Sequence, residues 1–255
     1  MTKILFFNGS PRNYGLTYTL LNFALRGASG VGVESKLFNL YDLEIQPCLG
    51  CLSDDQISCR YPCVIDDNMQ KIYSEILSSN GIIIATPIYW FAPSGVVKNF
   101  IDRLTVFENM IFISGRSLVE GKVAGVIAVG NDGGAVQTIS TIVSALISMG
   151  FTVPPFGFCY HTKDEEPSEN TLRDAFNVGR NVALLAKVLE RNGSNWYDVK
   201  TIEELSAIKE EINALCKLNK ENTLPKRNVI INKLITKDNL VLTPLEEVKD
   251  KSKHK

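Results

Sequence analysis

Apolar positions recur with two different periods along the first 193 residues of the chain. Short apolar runs, rich in β-branched and aromatic residues and bounded by turn formers, predict buried strands at residues 4–8, 33–39, 81–86, 123–129 and 152–158. Between these runs, apolar residues recur every three to four positions. This spacing predicts helices at residues 16–28, 67–78, 94–107, 135–149 and 168–190.

The regular alternation of strands and helices is typical of a parallel sheet with helices on both faces. We therefore predict an α/β fold, a doubly wound five-stranded parallel sheet with the strand order 2-1-3-4-5. Ligands of such sheets bind at the carboxyl ends of the strands, where the order reverses beside the first and third strands. The loops that follow the strands are therefore the candidate binding site.

The character of the sequence changes near residue 195, so we predict a domain over residues 1–195 and a charged helical C-terminal extension over residues 196–255. The extension begins with the amphipathic helix TIEELSAIKEEINALCKL, continues with Pro225 and the apolar patch NVIINKLI, and ends in the lysine-rich KDKSKHK. Three alternatives stay open: it folds over the domain, contacts a second subunit, or is partly disordered.

Composition limits the classes of partner. The 255 residues include 27 Lys and Arg against 28 Asp and Glu, a net charge of −1, which gives no electrostatic basis for binding nucleic acid or an anionic membrane. The N-terminal MTKILFF lacks the features of a signal peptide, and no apolar stretch is long enough to span a bilayer. We therefore expect a cytoplasmic protein with no nucleic-acid or membrane partner.

The first loop, GSPRNYGLT, joins the first strand to the first helix. The free N–H groups at the start of a helix attract an anion, as does the positive end of its dipole. Ser10 and Thr17 add hydroxyl groups, and Arg12 adds a permanent positive charge. These features predict a phosphate site. The alternative is an ordinary polar turn in which a Thr caps the helix.

The second and third loops have compositions that a packed turn does not require. After the third strand, PIYWFAPSG presents Tyr89, Trp90 and Phe91 between two prolines. These rings either lie against a flat heteroaromatic ligand or serve as ordinary core and interface residues. After the fourth strand, GNDGGAVQT holds three glycines that allow the backbone to come close to the edge of a ligand.

Taken together, the segments GSPRNYGLT, TPIYWFAPSGVVKNFIDR and GNDGGAVQTISTIVSALISMGFTV resemble the NADPH-dependent FMN reductase family of the flavodoxin-like superfamily. The resemblance covers about residues 2–160 and implies a flavodoxin-like fold that binds FMN. It assigns the FMN phosphate to the first loop and the isoalloxazine ring to the other two. The cofactor-binding residues implied in this way are Ser10, Arg12, Asn13, Tyr14, Gly15, Leu16, Thr17, Pro87, Ile88, Tyr89, Trp90, Asn131, Gly133 and Gly134.

The resemblance also implies an FMN-dependent oxidoreductase. NADPH or NADH would give hydride to FMN, and a small acceptor such as a quinone or flavin would then take the electrons in a ping-pong mechanism. Because the flavin carries the chemistry, no catalytic acid is required of the protein. His161 either faces the ring or substrate, or is a solvated loop residue. The alternative function is an electron-transfer flavoprotein, flavodoxin-like or iron-sulfur, that a protein donor reduces.

Four of the six cysteines lie in one segment after the second strand: Cys48, Cys51, Cys59 and Cys63. Their location resembles that of the cluster ligands in iron-sulfur flavoproteins, a related branch, but Asp54 stands where that branch has its third cysteine. An iron–sulfur cluster, zinc, disulfides and free thiols therefore stay open as alternatives. We expect Cys159 and Cys216 in the core.

Many relatives of this fold form dimers or tetramers, so we expect a homodimer or homotetramer. Four apolar residues either supply the subunit contact or belong to the core: Phe107, Met110, Ile111 and Phe112.

Overall fold

The computed structural model describes residues 1–163, 165–189, 196 and 202–237, with side chains of the last helix described for residues 203–233. Contacts divide the chain into two units, Met1–Asp198 and Val199–Lys255, which are described separately. Among the described residues, no helix combines the length and the apolar character needed to cross a membrane.

The first unit is built on a sheet with helices on both faces. Its strands are β1 (Lys3–Asn8), β2 (Glu34–Asn39), β3 (Gly81–Tyr89), β4 (Ala92–Pro93), β5 (Val123–Val129) and β6 (Phe158–His161). Its helices are α1 (Leu16–Ser29), α2 (Met69–Leu77), α3 (Gly95–Arg103), α4 (Thr105–Glu108), α5 (Met110–Ser114), α6 (Ala135–Ser148) and α7 (Glu169–Leu189). Two 3-10 turns, Leu40–Asp42 and Cys51–Ser53, lie between β2 and α2.

The strand order is β2-β1-β3-β5-β6, and these five strands pair in parallel. The two-residue β4 pairs antiparallel with the end of β3. With β4 set aside, the order confirms the predicted 2-1-3-4-5 sheet. Because the chain leaves β1 toward β2 on one side and reaches β3 on the other, the order reverses at β1, and the loops after β1 and β3 share one edge.

Alternate residues of the strands form two apolar cores, because successive side chains of a strand point to opposite faces. On one face, Leu5 and Phe7 of β1 pack in a cluster with residues of α2, α3 and α6. On the other face, Ile4 and Phe6 pack in a cluster with residues of α1 and α7. The sheet is therefore buried on both sides, and its carboxyl-end loops are left to form a site.

Two strand boundaries differ from the prediction. The fifth strand was expected at residues 152–158, but Thr152 forms only an isolated bridge to Val123, and β6 begins at Phe158. Two consecutive prolines, at 154 and 155, lack the N–H groups that a ladder needs. The third strand continues beyond the expected residue 86 as far as Tyr89, because its end pairs with β4.

The described part of the second unit is α8 (Ile202–Lys237), a helix that contains Pro225. The helix predicted over residues 201–218 therefore continues through the proline and the apolar patch. Cys216 is exposed on α8, so the expectation of a core position is wrong, whereas Cys159 is buried as expected. The lysine-rich end lies outside the described residues.

Replacing Gly179 by alanine is expected to destabilise the first unit, because α1 and α7 approach each other through glycine. A Cβ at Gly179 would stand 1.7 Å from the Ala24 carbonyl oxygen, and one at Gly27 would stand 2.0 Å from that of Phe176. Relief requires the two helices to separate, so we expect a loss of about 3 kcal/mol in the free energy of unfolding, measured by urea denaturation. Gly95→Ala is the control, because its Cβ would meet nothing within 4 Å. Equal stability of the two variants would contradict this account.

Candidate functional site

The first loop is held in place by polar side chains at the end of β1. Asn8 is fully buried, and its Oδ1 accepts a hydrogen bond from the Ser10 N–H at 3.1 Å. Ser10 Oγ in turn accepts from the Arg12 N–H at 3.1 Å. A Cβ at Gly9 would stand 2.1 Å from Val97 Cγ2, so a larger residue here would displace the buried Val97 side chain. The loop is thus preformed next to the start of α3.

The start of α1 keeps the features of an anion site. Gly15 occupies the cap position and has no side chain to bond the first helical N–H groups, so Thr17 is the second helical residue and not the cap. Ser10 and Thr17 are buried beside this helix start. Arg12, Asn13 and Tyr14 are exposed, while Gly15 and Leu16 are half-buried. The start of α1 therefore combines the positive end of the helix dipole and free N–H groups with two hydroxyl groups and a guanidinium in the preceding loop and first turn.

The second loop is a tight hairpin. Pro87, Ile88 and Tyr89 belong to β3, where Ile88 lies opposite Pro93 and Tyr89 opposite Ala92 of β4. Pro87 and Ile88 are half-buried, and Tyr89 is exposed. The aromatic segment is therefore an extension of a central strand of the sheet, which gives it a rigid base.

Trp90 and Phe91 form the two-residue turn between β3 and β4, and both have positive φ, 52° and 63°. Hairpin turns of this kind normally use Asn or Gly, because a side chain makes positive φ unfavourable. Each of these residues therefore carries backbone strain of about 1–3 kcal/mol. The Trp90 side chain is 93 % exposed, so the hairpin presents an uncovered indole to solvent.

The hairpin of the second loop is in contact with both neighbouring loops. Ser94, which is fully buried, donates from Oγ to the Gly9 carbonyl oxygen at 2.8 Å and so ties the hairpin to the first loop. On the other side, a Cβ at Gly134 would stand 2.6 Å from Phe91 Cα, and one at Gly130 would stand 3.1 Å from Ile88. The three loops therefore form one continuous edge.

The third loop follows β5 and begins α6. Gly134, with a φ of 86°, is the residue that caps α6. Asn131 is exposed, and Gly133 and Gly134 are half-buried against Phe91. The Gly130 N–H donates to the His161 carbonyl oxygen at 2.8 Å. The backbone of this loop is thus positioned by the hairpin and by β6.

Sequence reasoning placed the candidate residues at this edge and missed Asn8, which holds the first loop, as well as Phe91 and Ser94, which join the loops. Their contacts cross long intervals of the chain, such as the 85 residues between Gly9 and Ser94. The PSG of the second segment was the available signal for Ser94. His161 is buried, not a solvated loop residue, and its Nε2 is 2.9 Å from the Glu165 carbonyl oxygen.

A second candidate site lies in the segment between β2 and α2. One pocket is lined by four cysteines, and all four are unpaired: Cys48, Cys51, Cys59 and Cys63. The volume of the pocket is about 20 Å³. Within the described residues, no three His, Cys, Asp or Glu side chains are close enough to hold a single metal ion. The donor set suits an iron–sulfur cluster, which takes four thiolates spaced more widely than the ligands of one ion, but a pocket this small would have to widen to admit it.

Side chains of α2 and of the helices that follow β4 hold the four-cysteine segment from inside. Asn109 Nδ2 donates to the carbonyl oxygens of Gln56 and Cys59, both at 2.6 Å. Gln70 Nε2 donates to those of Cys63 and Ile65, both at 2.8 Å. The inner wall of the pocket is therefore built by specific hydrogen bonds and is not a collapsed loop.

Arg103 is part of that inner wall. Its side chain is fully buried and forms an ion pair with Asp67, which is also fully buried, at 2.6 Å. Burial by itself would raise the pKa of Asp67, but hydrogen bonds from Arg103 and from two backbone N–H groups, with the guanidinium charge, lower this pKa below its usual value. The carboxylate therefore stays ionised and keeps the guanidinium in position.

The thiols of the pocket influence one another. Burial, and to a lesser extent the neighbouring Cys48, Cys51 and Cys63, together raise the pKa of Cys59 to about 11. Cys59 is therefore a neutral thiol near pH 7 as long as nothing binds it. A metal bound there would displace its proton.

Comparison with known proteins identifies a family and several relatives. The family of NADPH-dependent FMN reductases matches residues 2–164. An iron-sulfur flavoprotein of Methanocaldococcus jannaschii is 28% identical over 201 residues, which is 74% of this chain and 100% of that protein. A Bacillus subtilis protein, named as an NAD(P)H-dependent FMN-containing oxidoreductase, is 33% identical over 141 residues, 55% of this chain and 73% of that one.

Solved structures are similar in fold. RosB with a bound flavin-derived intermediate has a TM-score of 0.63 at 19% identity, covering 83% of this chain and 87% of that one. An NADH:FMN oxidoreductase has a TM-score of 0.55 at 18% identity, covering 80% of this chain and 99% of that one. At these identities the likeness establishes the fold alone.

Proposed function

Because this chain belongs to the NADPH-dependent FMN reductase family, we propose that it binds FMN, takes hydride from NADPH or NADH and reduces a small acceptor such as a quinone or a flavin. The observation that carries the proposal is the continuous edge formed by the three loops, which joins a helix start to an aromatic hairpin. When bound, FMN supplies the hydride and electron chemistry.

Each loop has a distinct task in this proposal. The first-turn N–H groups of α1, with Ser10, Arg12 and Thr17, bind the phosphate, and Asn13, Tyr14, Gly15 and Leu16 supply the loop backbone. Pro87, Ile88, Tyr89 and Trp90 hold the flat ring. Asn131, Gly133 and Gly134 line its other edge, where backbone N–H groups stabilise negative charge. Donor and acceptor use the same open face in turn, which is a ping-pong scheme.

The first experiment is the visible spectrum of the protein purified without oxygen, recorded before and after adding NADPH. Resolved flavin bands that bleach on addition are the expected result. Double-reciprocal plots with acceptor as the second substrate should then give parallel lines. A colourless protein that also takes up no added FMN would overturn the proposal, and intersecting lines would overturn the ping-pong scheme alone.

Replacing Ser94 by alanine is expected to weaken FMN binding about tenfold. The change removes the buried donor to the Gly9 carbonyl oxygen, a loss of about 1–3 kcal/mol, of which 1.4 kcal/mol corresponds to about a tenfold change in Kd. Ser114→Ala is the matched control, because it removes a serine hydroxyl that bonds only within its own helix, to the Met110 carbonyl oxygen. FMN titration by fluorescence quenching measures both variants. An unchanged Kd in Ser94→Ala would show that the loops do not need this link.

A second function is favoured by the four unpaired cysteines around one pocket. We propose that Cys48, Cys51, Cys59 and Cys63 bind an iron–sulfur cluster, which would supply one-electron transfer. The protein would then act as an electron-transfer flavoprotein reduced by a protein donor. Rapid flavin reduction by NADPH favours the oxidoreductase, and reduction only by a reduced electron-carrier protein favours this second function.

We also propose that the chain forms a homodimer or homotetramer in the cytoplasm. Phe107 is part of the core and takes no part in a subunit contact, whereas Phe112 is exposed and Met110 and Ile111 are half-buried. Light scattering of the purified protein measures the mass, and a monomer at micromolar concentration would overturn the proposal.

A further inference from the structure

We propose that Arg103 is a positioning residue for the four-cysteine site, where its guanidinium holds Cys63 and raises the reduction potential of the cluster bound there. This inference rests on the proposed cluster. It goes beyond that proposal because it assigns a role to a residue that is not a ligand and that the flavin site does not use.

The contacts of Arg103 aim it at the cysteine segment. Nη2 is 3.6 Å from Cys63 Sγ, a distance at which N–H donates to sulfur, and Nη1 donates to the Gln46 carbonyl oxygen at 3.0 Å. The same two nitrogens bond the two carboxylate oxygens of Asp67, at 2.6 and 3.2 Å. This fork fixes the plane of the guanidinium, so the direction of the N–H toward sulfur is fixed as well.

One N–H donor of Arg103 is not used by the contacts described above. Its Nε is buried and has no hydrogen-bond partner among the described residues. Arg103 lines the same pocket as the four cysteines. A buried donor without a partner is costly in an ordinary core, and a group rich in sulfur at this pocket would supply an acceptor.

The charged residues around the pocket differ in how deeply they are buried. Arg60 lines it but is exposed, and Asp102 is half-buried and pairs with Lys98 at 2.5 Å. Glu108 acts on Cys59 only by its charge. Arg103 is the charged lining residue that is fully buried, so water screens it least. Asp67, its buried partner, offsets part of its charge, so the fixed N–H toward Cys63 carries the main effect.

Reduction of a thiolate-ligated cluster adds one negative charge, which is shared by its sulfur atoms. A fixed N–H donor and a buried positive group stabilise the reduced form more than the oxidised form. Hydrogen bonds to the sulfurs and the local charge are among the factors that set such potentials. Loss of the Arg103 contact should therefore make the cluster harder to reduce.

The test is a redox titration of the full chain with both groups bound, following the cluster by EPR and the flavin by absorbance. Arg103→Lys keeps the charge but loses the fork, and we expect its ratio of reduced to oxidised cluster to fall about tenfold at a given potential, which is about 59 mV for one electron. The flavin potential should not change. Arg116→Gln, which removes an exposed arginine that does not line this pocket, is the control and should leave both potentials unchanged.

Two outcomes would overturn the inference, and they are distinct. If the wild-type chain takes up no iron after anaerobic reconstitution, the cluster proposal fails and the role of Arg103 fails with it, while flavin reduction by NADPH is judged separately. If iron per chain and the cluster potential are the same in Arg103→Lys and wild type, only the role of Arg103 fails. Should Arg103→Lys not fold, Arg103→Met combined with Asp67→Leu removes both buried charges, a replacement that proteins often tolerate, and the same shift is expected.

Discussion

Replacing Gly134 by valine is expected to yield a folded chain that has lost FMN. Gly134 has a φ of 86°, and a Cβ there would stand 2.6 Å from Phe91 Cα and 2.9 Å from Phe91 Cδ1. The side chain would therefore push the strained hairpin away from the third loop. We expect a cost of about 3 kcal/mol or more from strain and overlap, which corresponds to at least about a hundredfold rise in the Kd for FMN.

Gly115→Val separates the two causes of this effect. Gly115 has a similar φ of 81°, but a Cβ there would meet nothing within 4 Å. This control introduces the same backbone strain at a position away from the three loops, so the variant should lose stability and keep its flavin. Flavin content per chain and FMN titration measure both variants. If Gly134→Val binds FMN as tightly as the wild type does, the contact between hairpin and third loop has no part in binding.

Replacing Cys59 by alanine is expected to remove essentially all iron from the chain and to leave the flavin in place. Cys59 lies among the other three cysteines and is fixed through its carbonyl oxygen by Asn109. With one of four thiolates missing, the cluster loses a ligand that it needs. Iron per chain measures the loss, and flavin per chain reports that the fold is intact.

Cys216→Ala is the matched control for this change. Cys216 is an unpaired, exposed cysteine on α8, so the same substitution there should leave iron content unchanged. Equal iron in Cys59→Ala and in Cys216→Ala would contradict the assignment of the cluster to these four cysteines.

Iron uptake by the wild-type chain should become more favourable as pH rises. Burial and the neighbouring cysteines raise the pKa of Cys59 to about 11, so the thiol carries a proton throughout the neutral range. Only the thiolate binds iron, so uptake must release this proton. Each pH unit below the pKa therefore lowers the apparent affinity about tenfold for this ligand. Anaerobic reconstitution at a series of pH values tests the direction.

Local patterns were enough to predict the elements of the first unit. Six elements lie within a few residues of their predicted positions: the strands β1, β2 and β5 and the helices α1, α6 and α7. Burial on one or both faces makes apolar residues recur with a characteristic period, which is visible within a single segment. The strand order then follows from the right-handed crossovers of a parallel sheet. The same local signal failed at residues 152–158, where two prolines prevent the apolar run from pairing as a strand and β6 begins only at Phe158.

The candidate residues of the three loops were also accessible to the sequence, because turn formers, glycines and aromatics after strands have local chemical meaning. The contacts between the loops were not. Ser94 meets Gly9, and Phe91 meets Gly134, across more than 40 residues each. Such pairs are set by the sheet, which brings the ends of β1, β3 and β5 to one edge.

For this chain the sequence by itself determined the fold class, the family and the four cysteines as a group, because these depend on periodicity and on residue type. Only the tertiary structure decided that the aromatic segment is a strained hairpin and that Arg103, 40 residues from Cys63, faces the cysteine pocket. The physical reason is that a buried ion pair and a close backbone approach are satisfied by partners far along the chain. Folding chooses those partners through packing, which no single segment contains.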